Sequence, residues 1–446
     1  MSTLTLAIVI TFVVGYACIA LESFTKVNKA AIALLMFVLC WTLFMIDPLQ
    51  YLGGDASTDL QEVITAVIEN HLGETATTLF FLMGAMTIVE VIDQNGGFNF
   101  VRRALRTTSK RKLLWRIAFL TFIMSAVLDN LTTSIIMIML LRKLVPDHED
   151  RLIYAALVVI AANSGGAFSP IGDVTTIMLW NSGFVTSMGV ISEILLPSLV
   201  SMLIPAFIMQ YWFKGDLLTT GVAKEEAIEE LTERERQAVL VIGVGGLMFV
   251  PAFHSMTELP PFMGIMLVLG VLWMITELFY TTKKVRSKGS SKKRVTNLLS
   301  RIDMATIMFF LGILMAVGCL QQTGVLAMLG DWLDGVSGGN HYVVTGLIGI
   351  ISSIVDNVPL VAGCMGMYPI APVGDMAVDG IFWQLLAYCA GVGGSLLIIG
   401  SAAGVVVMGL EKITFGWYLK RITWVAFVGY IAGIVCYWFM RTFILP

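Results

Sequence analysis

The chain reads as an all-α polytopic membrane protein. It is expected to be an inverted repeat of two halves, each with about five transmembrane helices plus a re-entrant hairpin, one helix per half being broken at the midplane. Three observations predict this. Of 446 residues, 57% are hydrophobic and only 13% charged, with a mean hydropathy of +0.85, whereas soluble domains carry roughly 25% charged residues. Lys and Arg gather in a few loops. And the pair Asp129-Asn130, set in apolar sequence, recurs as Asp356-Asn357.

Apolar runs of the roughly 17 to 25 residues needed to cross a bilayer recur along the chain, among them residues 4–20, 30–46, 262–280 and 422–443. The first has no Lys or Arg before it and no clear cleavage site after it, so it is kept as a span rather than read as a signal peptide. With no amphipathic Arg-rich and Ser-rich transit segment, the expected location is a bacterial inner membrane. The net charge of −3 gives nucleic-acid binding nothing to act through. The six cysteines, Cys18, Cys40, Cys319, Cys364, Cys389 and Cys436, stand singly in apolar runs and read as packing residues. His71, His148, His254 and His341 all lie near expected loops.

Basic residues set the topology. They cluster in 102–116 (Arg102, Arg103, Arg106, Lys110, Arg111, Lys112, Arg116) and in 283–301, which places both segments in the cytoplasm. The segment 47–74, with six acidic residues and no Lys or Arg, is expected to be an outer loop, so the following span 77–98 runs inward. Segment 117–141 could cross once, but Arg142, Lys143 and Arg151 follow it, and a crossing would strand them outside. A hairpin turning at Asp129-Asn130 keeps both basic clusters inside. Acidic flanks give residues 342–368 the opposite direction. Irregular backbone at membrane depth survives only where protein buries it or a polar cavity receives it.

At an offset of 228, Phe81, Gly84, Val89 and Gly96 meet Phe309, Gly312, Val317 and Gly324, while Gly165, Gly166 and Gly172 meet Gly393, Gly394 and Gly400. The expected organisation is a first repeat over 1–213 (hairpin 117–145, broken helix 152–181), a cytoplasmic amphipathic linker over 214–237, and a second repeat over 238–446 (hairpin 341–372, broken helix 381–410). The breaks fall at Ser164-Gly165-Gly166 through Pro170-Ile171-Gly172-Asp173 and at Gly393-Gly394-Ser395 through Gly400-Ser401. Unwound turns expose carbonyl oxygens, which suit a hard cation, and neighbouring hydroxyls add neutral oxygen. The candidate ligands are Asp129, Asn130, Thr132, Asn163, Asp173, Thr175, Thr176, Asp356, Asn357, Ser395 and Ser401. Three carboxylates stand with no Lys or Arg in any of these motifs, because Asp173 aligns with Ser401. Protons and metal cations would compete for the same oxygens, and an anionic substrate would be repelled. Glu90, aligned with Gly318, sits mid-span with no obvious partner and is a candidate for a proton pathway. Capping is the competing role for the three aspartates, since Asp and Asn favour turns and helix starts.

At these motifs the chain resembles the NhaD-type sodium/proton antiporters of the ion-transporter superfamily, related to arsenite permeases and to citrate and dicarboxylate carriers. The Pro170-Ile171-Gly172 turn is shared with the arsenite branch, whereas Asp173-Val174-Thr175-Thr176 and the twin Asp-Asn tips are similar to the antiporter branch. The resemblance implies that Asp129, Asn163, Asp173, Thr175, Thr176, Asp356, Asn357 and Ser395 serve exchange of Na+ or Li+ for H+. It implies no cofactor, with alkali cations, protons and the lipid bilayer as partners; a homodimer is admitted. An arsenite or carboxylate carrier on the same fold is the nearest alternative. An intramembrane aspartyl protease is the remote one, and the Gly-x-Gly-Asp context it needs is absent around Asp129 and Asp356.

Overall fold

In the computed structural model, residues 2–20, 27–52, 60–213, 215–216, 231–282, 294–354 and 356–444 are described. In chain order the principal helices are α1 (Thr3–Ala20), α2 (Lys29–Phe44), α3 (Leu60–Gln94), α4 (Lys110–Leu128), α5 (Asn130–Leu144), α6 (His148–Ala167), α7 (Val174–Asn181) and α8 (Ser187–Met209). They continue with α9 (Glu233–Thr257), α10 (Pro261–Thr282), α11 (Met304–Gln322), α12 (Val325–Ser337), α13 (His341–Ser352), α14 (Asn357–Met367), α15 (Ile381–Gly393), α16 (Ala402–Glu411) and α17 (Thr423–Phe443). Short helical turns join some of them. No strand is present among the described residues, and six helices, α3, α8, α9, α10, α11 and α17, are long and apolar enough to cross a membrane.

Burial decreases outward from two broken helices. Every residue of α6 from Leu152 to Ala167 is buried, as is every residue of α15 from Phe382 to Gly393. By contrast Leu35, Val38 and Leu39 of α2, Met248 and Phe249 of α9, Leu267 and Met274 of α10, and Trp438 and Phe439 of α17 are exposed. A soluble protein would not tolerate this much apolar surface; lipid is its natural solvent. Between these layers, small residues let backbones touch. A Cβ on Gly312 of α11 would lie 2.5 Å from the Ala33 carbonyl carbon of α2, and one on Gly429 of α17 would lie 2.4 Å from the Ser201 carbonyl oxygen of α8.

Ion pairs show that α4 and α5 form a hairpin. Lys110 at the start of α4 meets Asp150 at 2.5 Å, and Arg142 near the end of α5 shares Glu411 with Arg151 at 2.8 and 2.7 Å. Both ends of the hairpin therefore lie at the start of α6. Its tip reaches Asn163, about 18 Å further along α6 at the helical rise per residue. The second hairpin, α13 and α14, repeats this on α15. The rings of His341 and Tyr368 both contact Phe382 at 5.8 and 4.9 Å, while Ser352 near the tip donates to the Ala390 carbonyl at 2.9 Å.

The broken helices α6/α7 and α15/α16 run antiparallel. Glu411 ends α16 beside the start of α6, and Phe184, just past α7, packs its ring 4.2 Å from Trp383 near the start of α15. Equivalent contacts recur at the offset read in the sequence: Ser125 donates to the Ala162 carbonyl as Ser352 does to Ala390, and Gly165 abuts the Phe122 carbonyl as Gly393 abuts that of Gly349. One end of the molecule is basic, around Lys110, Arg142 and Arg151. The other carries Asp375 and Asp379.

Several boundaries differ from expectation. The acidic segment 47–74 is not all loop: α3 starts at Leu60, so Glu62 stands in the first turn of a helix, where the N-terminal end favours acid, and Glu69 and Glu74 lie further along the same helix; residues 53–59 lie outside the described residues. The first hairpin begins at Lys110 rather than 117, because Ser109 accepts from the Lys112 amide and caps the helix there. The linker expected over 214–237 falls largely on 214 and 217–230, outside the described residues. Its last part belongs to α9, which Thr232 and Glu235 start with a reciprocal capping box.

Candidate ion site

Six of the residues singled out in the sequence converge at the crossing of the broken helices. Asp173 ends the interrupted stretch after α6 and caps α7, its Oδ1 accepting from the Thr175 amide at 3.0 Å and the Thr175 hydroxyl at 2.9 Å. Both hairpin tips then reach it. Asn130 donates to Oδ2 at 2.7 Å and Asn357 donates to Oδ1 at 3.4 Å. Asn130 also donates to the Asn163 side-chain oxygen at 3.2 Å, and Asn163 donates to the Ser401 hydroxyl at 3.0 Å. Asn130, Asn163, Asp173, Thr175, Asn357 and Ser401 are all buried.

The local backbone explains why these side chains meet. Four helices, α5, α7, α14 and α16, begin near the crossing, with Asp129, Asp173, Asp356 and Ser401 as their N-caps. Each cap satisfies an amide that the helix itself leaves open. The close approach rests on glycine: a Cβ on Gly391 would lie 3.0 Å from that of Ala167, with Asp173 Oδ2 at 3.8 Å. Capping is therefore real for all three aspartates. It does not use up Asp173, whose second oxygen faces a tip amide.

The two remaining aspartates differ. Asp129 is the whole tip of the first hairpin, at φ +86°, where a side chain is strained. Its carboxylate takes the Thr132 amide and hydroxyl, both at 2.8 Å. Asp356 receives the Val358 amide at 3.3 Å and the Lys29 ammonium at 3.1 Å. The motifs themselves contain no Lys or Arg, yet one from elsewhere in the chain reaches a carboxylate. Lys29 stands at the start of α2, 327 positions from Asp356, and no local motif could announce the contact. Glu90 is corrected: it has a partner, Arg301, at 3.5 Å. Thr176 and Ser395 spend their hydroxyls on the carbonyls of Ala167 and Val392 at 3.3 and 2.6 Å, closing the ends of α6 and α15.

A cavity of ≈ 70 Å³ lies toward the acidic end, lined by His71, Glu74, Thr78, Ser182, Gln321 and Met365 among others. Met178 and Ser182 of its wall belong to α7 and its C-terminal cap, and Met365 to α14. It therefore sits over the far ends of the two helices whose N-termini hold Asp173 and Asp356.

Chemically, one buried carboxylate takes two carboxamides directly, Asn130 and Asn357, with a third, Asn163, one hydrogen bond further away; each can present an N–H to a carboxylate or an oxygen to a cation. Together with paired hairpins and antiparallel broken helices, this defines a secondary-transporter architecture. The chain belongs to the family described as citrate transporter, whose model matches residues 16–387, and to the NhaD-type sodium/proton antiporters. It is 42% identical over 437 residues to "Sodium/proton antiporter 1" of Arabidopsis thaliana, covering 97% of this chain and 72% of that protein. Against "Sodium/proton antiporter 2" of the same plant the identity is 40%, over 97% and 99% of the two chains. "Na(+)/H(+) antiporter NhaD" of Alkalimonas amylolytica is 34% identical over 95% and 88%. Among solved structures, the Alcanivorax borkumensis YdaH transporter, described as having an unusual topology, superposes with a TM-score of 0.55 at 14% identity, over 92% of this chain and 98% of that one. The relatives are transporters rather than hydrolases, which removes the protease alternative.

Proposed function

We propose that the protein exchanges Na+ or Li+ for H+ across the membrane, with Asp173 as the group that alternately holds the cation and the proton. The observation that carries this reading is the convergence of both tip amides, Asn130 and Asn357, on one buried carboxylate. An ionised carboxylate at this depth costs several kcal/mol unless paired. Donors from both hairpins lower that cost in the absence of cation. When Na+ arrives, rotation of Asn130, Asn163 or Asn357 turns an N–H away and an amide oxygen inward, so the same residues become ligands. Thr175 and Ser401 add hydroxyl oxygen. Asp129 and Asp356 flank the site and share in the exchange.

The duplicated contacts at offsets of 227 and 228, and the antiparallel course of α6/α7 and α15/α16, support reading residues 1–213 and 238–446 as inverted repeats. Alternating access would then be a rocking of the hairpins and broken helices against the outer helices. The relatives come from bacteria and a plant; a bacterial inner membrane is the location proposed here from the sequence.

In inverted vesicles, Asp173→Asn is expected to abolish sodium-driven proton flux. Flux equal to that of the wild type across a pH series would overturn the assignment. The family description favours one second reading, carriage of a carboxylate. If sodium alone, with no organic anion present, dissipates an imposed proton gradient, that reading fails.

A further inference from the structure

We propose that Lys29 is a built-in counter-cation at Asp356, which the transported cation must displace; this rests on the antiporter reading above. The two hairpin tips share one plan, with an Asp capping the next helix, yet they differ three residues on. In the first tip that position is Thr132, which gives Asp129 both an amide and a hydroxyl at 2.8 Å. In the second it is Pro359, which has neither an N–H nor a hydroxyl. Among the described residues Asp356 is left with one long amide contact, from Val358 at 3.3 Å. Its other oxygen is taken by Lys29 Nζ at 3.1 Å. The substitution of Pro for Thr and the arrival of an ammonium are two halves of one arrangement: one tip neutralises its carboxylate with local donors, the other with a tethered charge.

The surroundings fit a charge that moves rather than a fixed strut. Lys29 Nζ also lies 4.3 Å from the centroid of the Phe309 ring on α11, a face that attracts a cation. The side chains of Lys29 and Asp356 are 26% and 18% exposed, so the pair is largely, not wholly, withdrawn from solvent. A small step along the Phe309 face would free Asp356 without stranding the ammonium in an apolar setting. Asn357, adjacent to Asp356, is the residue that donates to Asp173. Release of Asp356 is thereby linked through one peptide bond to the buried carboxylate. Because α2 and α11 pack together as a pair outside the hairpins, Lys29 also ties the second tip to the surrounding scaffold.

The test uses the full chain, purified and reconstituted, with Na+ binding measured by calorimetry and sodium-driven proton flux measured at alkaline pH, where protons compete least. Lys29→Gln removes the internal competitor. The expected result is tighter Na+ binding and a Michaelis constant for Na+ lowered by about tenfold, the scale of one desolvated charge pair, with maximal flux reduced because the cation leaves more slowly. Lys29→Arg restores the wild-type Michaelis constant. Pro359→Thr, which supplies Asp356 with the donors that Thr132 gives Asp129, makes the Michaelis constant insensitive to Lys29→Gln and guards against a variant that merely folds poorly. An unchanged Michaelis constant and unchanged Na+ binding in Lys29→Gln would overturn the proposal. Failure of the antiporter reading is distinct: it is loss of sodium-driven flux in the wild type itself, a case in which calorimetry still reads the effect of Lys29 on Na+ binding.

Discussion

The two hairpin tips carry the same dipeptide and hold it differently. At Asp129 the turn is a single residue forced to φ +86°, and the carboxylate is capped by its own helix. At Asp356 the turn between α13 and α14 is longer, the φ is an ordinary −49°, and the carboxylate leans on Lys29 from another helix. The frame is common, but the charge balance is not. Backbone contacts such as Gly165 on Phe122 and Gly393 on Gly349 repeat closely, whereas the side chains that neutralise the two tip carboxylates, Thr132 for Asp129 and Lys29 for Asp356, have no counterpart in the other half. Two hairpins built on one plan thus hold their carboxylates in different charge environments.

The largest effects should come where the halves agree. A Cβ at Gly165 or at Gly393 would lie 2.2 Å from a backbone oxygen that has no room to yield. Gly165→Ala and Gly393→Ala should each destabilise the protein by about 3 kcal/mol, read as thermal unfolding in detergent. Sensitivity in one half alone would break the idea of a shared frame. Next come the tip charges. Asp129→Asn keeps a capping oxygen and its Thr132 partners, while Asp356→Asn leaves the Lys29 ammonium without its carboxylate. The second change should cost about 1 to 2 kcal/mol more than the first, a buried-pair penalty discounted for partial exposure. Equal losses would remove the contrast.

Thr132→Ala should cost about 1 kcal/mol by deleting one hydroxyl donor to Asp129, whereas the matching Pro359→Ala should leave the Lys29 contact in place and cost less. Thermal melts of the two, compared in the same lipid, sharpen the contrast between local and tethered neutralisation. The smallest effect belongs to Glu90→Gln. The pair with Arg301 spans 3.5 Å between partly exposed side chains, so a stability change within about 0.5 kcal/mol is expected. A loss of several kcal/mol would place Glu90 in a more constrained network than its exposure indicates.

Much of the fold was legible because lipid imposes a strict pattern. Asp-Asn inside apolar sequence marked both tips, and Gly marked both interruptions, with Pro170 added in the first, since each break leaves backbone groups that must be buried in protein to be satisfied. Six of the eleven candidate ligands meet in one cluster. Thr176 and Ser395 do not, because a hydroxyl beside a helix end can turn to the carbonyls there, and composition cannot say which way it turns. The extent of α3 was also hidden: acidic residues look like loop when charge is the criterion, although Glu62, Glu69 and Glu74 are good helix formers on an exposed face.

By itself the sequence determined the membrane-embedded all-helical class, the paired hairpins, the broken helices and the presence of an acidic cap, Asp173, where the second half has Ser401. These follow from periodicity and from the cost of stranding polar groups in lipid, both local properties of the chain. Only the tertiary structure decided that both tip amides serve Asp173 and that an ammonium 327 positions away neutralises Asp356. The energy of a charge in a medium of low polarity depends on what surrounds it in space, and those neighbours arrive from helices that the sequence order keeps far apart.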